Sequence, residues 1–424
     1  MFQSQRPFVF AFGAFGTLVA GVLIASVSAC EFRRPPAPGG LSRDGARGRA
    51  DGLRALGRRM FVDASLSASG RLSCASCHRL DRAFGPPNGL AVQMGGASLT
   101  RPGLRAVPSL RYLQAVPPFT RHLFATSDEG DESVDQGPSG GLTWDGRVDR
   151  GRDQARIPLL SAFEMANASA AEVADRLLAA PYAGDASRLA AEAGEDVFST
   201  ALEALEAYEG DPVVFSPYSS RYDAVLKGAA RLTTQEQRGL DIFNDPKRGN
   251  CARCHPSQPD RRGIPPAFSD YGFVALGVPR NPDIPANADP HYFDLGLCGP
   301  QRTSFTGQSE YCGRFRTPTL RNVATRSVFF HNGVVHSLRD AVAFYATRDS
   351  QPARWYGRGS DGVLQPFDDL PTEYRRNVEV GVPFGQRPGG PPSLSDEEID
   401  AVVAFLETLT DADVLNARAR LSRR

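Results

Sequence analysis

The chain has 424 residues, enough for two domains, with ordinary shares of apolar (41%) and charged (23%) side chains. Lys plus Arg and Asp plus Glu balance at 48 each, so net charge is zero and nothing points to nucleic acid or a polyanionic substrate. The charge is uneven along the chain. Residues 33–59 are Arg-rich, and Asp128, Glu129, Asp131, Glu132 and Asp135 form an acidic cluster, read as solvated loop or as a guide for a basic partner.

The N-terminus has the pattern of an export signal. Arg6 precedes an uncharged apolar stretch from Pro7 to Ala29, and Cys30 follows. Val27-Ser28-Ala29-Cys30 is similar to a bacterial lipobox, in which the cysteine is diacylated and becomes the new N-terminus. The stretch is also long enough to span a bilayer, so an uncleaved anchor and simple secretion stay open. All three place the remainder outside the cytoplasm, and Glu31, where an Asp would signal inner-membrane retention, points to the outer membrane. Residues 30–50, rich in Pro, Gly and Arg, are expected to form a flexible tether.

The pentapeptide Cys74-Ala-Ser-Cys77-His78 follows, and Cys251-Ala-Arg-Cys254-His255 repeats it. C-x-x-C-H is the attachment pattern of c-type haem: two thiols add across the vinyl groups of one porphyrin, and the adjacent His supplies the proximal nitrogen to iron. A zinc or thioredoxin-like CxxC is the alternative for either copy alone. Gly57 and Phe61 precede the first copy as Gly239 and Phe243 precede the second, in the same G-x-x-x-F spacing, which marks an internal duplication.

Between the copies, Trp144-Asp145-Gly146-Arg147 is followed by Gln154, Pro158 and Glu164. Glu164 lies in the apolar run Ile157–Met165, where desolvation raises a carboxyl pKa and suits it to general acid/base work; a solvated or paired Glu is the plainer alternative. Ser169 with Glu172 opens a helix that stops before Pro181, Glu195 to Tyr208 is helical to Gly210, and Thr233 with Glu236 makes a capping box. The domain boundary is placed at Lys227–Leu232, giving an N-terminal haem domain over 51–230 and a C-terminal one over 231–412, with 413–424 as a tail.

After the second copy, Cys298 and Cys312 are the cysteines left over, and in an oxidising compartment they suggest a disulfide; two free buried thiols are the alternative. No Met follows Cys251, so a Met ligand from within the C-terminal domain is excluded. Ser337 and Asp340 cap a helix that puts Leu338, Ala341, Val342 and Tyr345 on one face. Tyr345 is either an ordinary core aromatic or a phenolate ligand to ferric iron, which would lower its potential. Ser395 and Glu398 cap a last helix with Ile399, Val402, Val403 and Leu406 on one face. With no alternating strand pattern, the fold class is mainly α: two cytochrome c-like haem domains with long Gly/Pro-rich loops.

These motifs, namely LGRRMFVDASLSASGRLSCASCH, VPSLR, WDGR, the Phe163–Met165 element, FRTPTLRNVA, FFHNG and FLETLT, resemble the bacterial di-haem cytochrome c peroxidase/MauG family from about Leu53 to Thr410. The resemblance implies a peroxidatic haem on His78 and an electron-transfer haem on His255. It puts an acid/base on Glu164, a positioning amide on Gln154, an electron relay on Trp144 and the distal C-terminal ligand on Tyr345, where typical peroxidases have Met and MauG has Tyr. His331 supports the second haem without ligating it. Two departures stand out. Residues 79–108 lack the His that blocks the peroxidatic iron in typical members, with His122 as a substitute or a plain surface or core residue; and an Asn that helps hold calcium falls on Ala106, leaving calcium doubtful. His291 and His336 are expected to be structural or exposed. The expected activity is reduction of hydrogen peroxide with electrons from a small c-type cytochrome or cupredoxin; oxidation of residues in a partner protein and pure electron transfer are the alternatives.

Overall fold

The structure is a computed structural model that describes residues 43–124 and 133–421. The lipobox Cys30, the signal stretch and Asp128–Glu132 of the acidic cluster lie outside the described residues. The architecture is mainly helical. Its sheets are two antiparallel pairs, β1 (Met94–Gly95) with β2 (Arg101–Pro102) and β3 (Phe273–Val274) with β4 (Phe315–Arg316).

Each half is built on a crossed helix pair. In the first, α1 (Arg43–Phe61) crosses a later helix, Val197–Glu209; α2 (Gly151–Leu160), α3 (Ala170–Ala179) and α4 (Ala183–Ala193) pack around them, and the crossing partner is α5. Leu56, Met60, Leu159, Val173, Leu177, Leu202 and Leu205 form the core between these elements. In the second half, α6 (Arg221–Leu226) leads into α7 (Thr234–Asn244), which crosses α9 (Asp396–Glu407), with α8 (Leu338–Thr347) alongside. Phe243, Phe268, Ala343, Val402 and Phe405 lie in that core.

The crossings explain the paired glycines. A Cβ on Gly57 would land on the Ala204 carbonyl and 2.9 Å from Tyr208 Cβ; one on Gly239 would land on the Ala401 carbonyl and 2.9 Å from Phe405 Cβ. Glycine inside a helix costs about 1 kcal/mol against alanine, so the two are kept for backbone approach.

Buried charge joins the halves. Arg111, fully buried, pairs with Asp411 at 2.8 Å, and Tyr112 Oη donates to the same carboxylate. Within the second half, Arg321 pairs with Asp223 at 2.9 Å. Arg105 bridges Asp145 of the first half (2.8 Å) and Asp294 of the second (2.6 Å). Such pairs fix relative orientation more than they add stability, since desolvation offsets much of their attraction.

Three expectations about segment ends change. Helix α1 begins at Arg43, inside the supposed tether, because Arg49 is held by the Leu189 carbonyl and Glu203. The supposed tail forms α10 (Ala412–Leu421), held where Arg418 donates to the carbonyls of Asp81 and Thr325. Helix α6 precedes Lys227, yet Tyr222 packs in the second core. Cys298 and Cys312 form a disulfide with Cα atoms 4.9 Å apart. Among the described residues no helix is long and apolar enough to cross a membrane.

Candidate active site

Each C-x-x-C-H lines a cavity, and the two histidines are held alike. His78 Nδ1 pairs with the Phe84 carbonyl at 2.9 Å; His255 Nδ1 pairs with the Phe268 carbonyl at 2.7 Å. Both phenylalanines have left-handed backbones, φ 55° and 54°, which turn these carbonyls toward the rings. The preceding residues are fixed alike: Ser109 Oγ donates to the Ala83 carbonyl and Thr319 Oγ1 to that of Ala267, both at 2.6 Å. A carbonyl on Nδ1 requires the proton there and leaves Nε2 as the ligating nitrogen. Burial lowers the pKa of both rings, that of His78 to about 4, so they stay neutral, as an iron ligand must.

None of the four motif cysteines is in a disulfide. Burial pushes Cys74, Cys251 and Cys254 up to about 12 and Cys77 up to about 11. Among the described residues no group of three His, Cys, Asp or Glu is placed to hold a metal ion. The site instead offers two thiols and one neutral imidazole on the wall of a mainly apolar cavity, twice over.

The His78 cavity, about 240 Å³, is also lined by Gln154, Pro158, Glu164 and Arg147. Glu164 sits in the turn after α2 and lines the cavity; its side chain is accessible there, while the protein packed on its other sides crowds the carboxyl. Desolvation raises its pKa, while Ser161 and Arg147 pull it back. Met94 and Met165 line this cavity as well, and His78 is its one histidine. His122 is exposed and pairs with Asp135 at 2.5 Å, far from a role as a substitute ligand.

The His255 cavity, about 250 Å³, is lined by Phe243, Leu338, Val342, Tyr345, Val402 and Leu406. Tyr345 comes from α8, capped as expected by Ser337, which accepts from the Asp340 N–H. Burial and the nearby Cys254 and Cys251 push its phenol above the ordinary tyrosine range. Coordination to a cation is what would bring it into the phenolate form. The carboxylates on this wall are engaged: Asp294 with Arg105, Asp369 with Asn332, and Glu379 with the Gly381 N–H. His331 stacks on Phe315, ring centroids 3.5 Å apart, with Nε2 3.5 Å from Asp369.

Trp144 lines both cavities, with its indole N–H donating to the Ala106 carbonyl at 2.8 Å. His291 and His336 are exposed and line neither cavity.

Residues 52–231 match the family model described as di-haem cytochrome c peroxidase. The chain is 34% identical over 392 residues to methylamine utilization protein MauG of Paracoccus denitrificans, covering 88% of this chain and 92% of that protein. The chain belongs to the di-haem cytochrome c peroxidase/MauG family. It is also 31% identical over 294 residues to cytochrome c551 peroxidase of Pseudomonas aeruginosa, covering 68% of this chain and 70% of that one. The crystal structure of the diheme peroxidase BthA from Burkholderia thailandensis superposes with a TM-score of 0.73 at 41% identity, covering 85% and 86% of the two chains. As a member of this family the protein is a peroxidase-type oxidoreductase with two haem c groups, and the two cavities fit them.

One lining residue escaped the sequence reading. Glu209, the last residue of α5, lies on the wall of the His78 cavity and is 8% exposed. Among the described residues its carboxyl makes no hydrogen bond or ion pair. Burial, with Glu206 nearby, pushes its pKa up to about 8. The signal was present: Glu209 continues the apolar stripe of Leu202 and Leu205 at i+7 and i+4.

Proposed function

We propose that this enzyme reduces hydrogen peroxide to two waters in the His78 cavity, drawing two electrons from a small c-type cytochrome or cupredoxin by way of the His255 cavity. The balance is one peroxide, two electrons and two protons to two waters. The observation that carries this reading is Glu164, a carboxyl of raised pKa on the wall of the cavity that His78 lines, with Gln154 on the same wall.

Cys74 and Cys77 with His78, and Cys251 and Cys254 with His255 and Tyr345, would hold the two haems. Haem iron supplies the redox centre at which peroxide is reduced and electrons are received. Glu164 would take a proton from one peroxide oxygen and return it to the other, which leaves as water. The Gln154 amide orients the peroxide by hydrogen bonding. Trp144, on both walls, would relay electrons.

A second reading rests on Tyr345. A tyrosinate ligand in the His255 cavity lowers that centre's potential and lets oxidising equivalents be spent on residues of a partner protein. Steady-state turnover decides between them: peroxide-dependent oxidation of a reduced small cytochrome supports the first, and turnover only with a protein substrate supports the second. The Cys30 lipobox further suggests a lipid-anchored protein facing the periplasm; loss of membrane association in C30A tests that.

A further inference from the structure

Arg316, in β4, lines both cavities. Its backbone N–H donates to the Trp144 carbonyl at 2.9 Å, and its Nε donates to the Thr143 carbonyl at 3.1 Å. These bonds anchor the stem of the guanidinium on the turn from the first half. Among the described residues its two terminal nitrogens make no hydrogen bond and meet no carboxylate.

That is costly for a side chain only 9% exposed. A guanidinium stays charged in protein, and a desolvated cation without a counter-charge is destabilising by several kcal/mol. Burial here drives the Arg316 pKa down to about 10. Arg105, Arg111, Arg321 and Arg348 are balanced by carboxylates, namely Asp145 and Asp294, Asp411, Asp223 and Asp349, while Arg302 and Arg326, which meet none, each place a terminal nitrogen on backbone carbonyls, as Arg316 does not. Asp145, the carboxylate that acts on Arg316 electrostatically, already accepts from Arg105, Arg147 and Thr143. The duplication adds a further point. Counted back from Arg111 and Arg321, Arg316 occupies the place that Ala106 holds in the first half. The arginine therefore belongs to the junction, not to the shared scaffold.

An unbalanced cation facing two cofactor cavities calls for an anion from the cofactors. We infer that Arg316 is a shared carboxylate clamp: its free terminal nitrogens bind propionate groups of the haems in both cavities, tying both reduction potentials to one charge. This rests on the di-haem reading above. A fixed cation favours the reduced state of each centre, so removing it lowers both potentials.

The test uses holoprotein of R316Q and R316K. Haem per chain is measured first by pyridine haemochrome; fewer than two in the parent would refute the di-haem reading itself, independently of Arg316. Spectroelectrochemical titration then reads both midpoint potentials. R316Q should lower both, and R316K should stay near the parent at neutral pH. A buried amine loses its proton readily, so in R316K both potentials should fall together as pH rises through the amine's pKa, a step absent from the parent. If R316Q does not retain two haems, the R316K series decides alone. Movement of one potential or of neither overturns the clamp. So does a parent whose potentials shift with added chloride or phosphate, since the guanidinium would then hold a free anion.

Discussion

The two halves repeat one scaffold and differ on the walls of their cavities. Gly57 and Gly239, Ser109 and Thr319, Arg111 and Arg321, and the left-handed Phe84 and Phe268 do the same work twice. Against this background the differences stand out. The first cavity carries Glu164 and Gln154 from α2 and its following turn, and Glu209 where the second half has Leu406. The second carries Tyr345 from α8 on a more apolar wall. The repeated residues hold the motif histidine in its neutral form; under the proposed function the unmatched ones would give each cavity its task, proton handling in the first and a closed redox centre in the second.

The largest break in that division should come from Glu164. Replacing it with Gln keeps shape and hydrogen bonding but removes the titratable group, and loss of a general acid/base costs about a hundred- to ten-thousand-fold in rate. E164Q is expected to retain both haems and near-native spectra while losing most peroxide turnover. Parent-like rates in stopped-flow mixing with peroxide would remove Glu164 from the chemistry.

The repeated part of the comparison is probed by alanine at the helix crossings. G57A and G239A each force a methyl onto a backbone carbonyl, and overpacking of this kind costs about 1–3 kcal/mol or more. Thermal unfolding of the holoproteins should show losses of similar size. A large loss in one and none in the other would mean that the crossings are not equivalent.

Glu209 gives a smaller, pH-dependent effect. Its carboxyl holds a proton to about pH 8 in the fold, against an ordinary value of 4.5. Between those values the unfolded chain binds fewer protons than the folded one, so stability falls as pH rises from about 4.5 to about 8 and is level beyond. E209Q removes that fall. Its stability advantage over the parent, read by denaturant unfolding, should be near zero at pH 4.5, grow to a few kcal/mol by pH 8 and then stop growing.

Much of this was legible in the residues. Thr233 and Ser395 with their N3 glutamates marked helix starts, because capping chemistry is local. The two C-x-x-C-H copies marked both cavities, because attachment needs contiguous residues. What stayed hidden depends on contacts distant in sequence. Helix α1 gains its first turns through Arg49 on Leu189 and Glu203, and α10 is ordered through Arg418 on two distant carbonyls. The left-handed phenylalanines that aim carbonyls at His78 and His255 carry no sequence mark, and the lone guanidinium of Arg316 is recognisable only once both cavities are seen.

The most direct test of the division of labour is electron paramagnetic resonance of the fully ferric protein, before and after Y345F. The account predicts one high-spin haem, in the His78 cavity where no second histidine reaches, and one low-spin haem ligated by His255 and Tyr345; Y345F should abolish the low-spin signal and leave the high-spin one in place. Two low-spin haems, with spectra untouched by Y345F, would contradict it and turn attention to Met94 and Met165 as ligands in the first cavity.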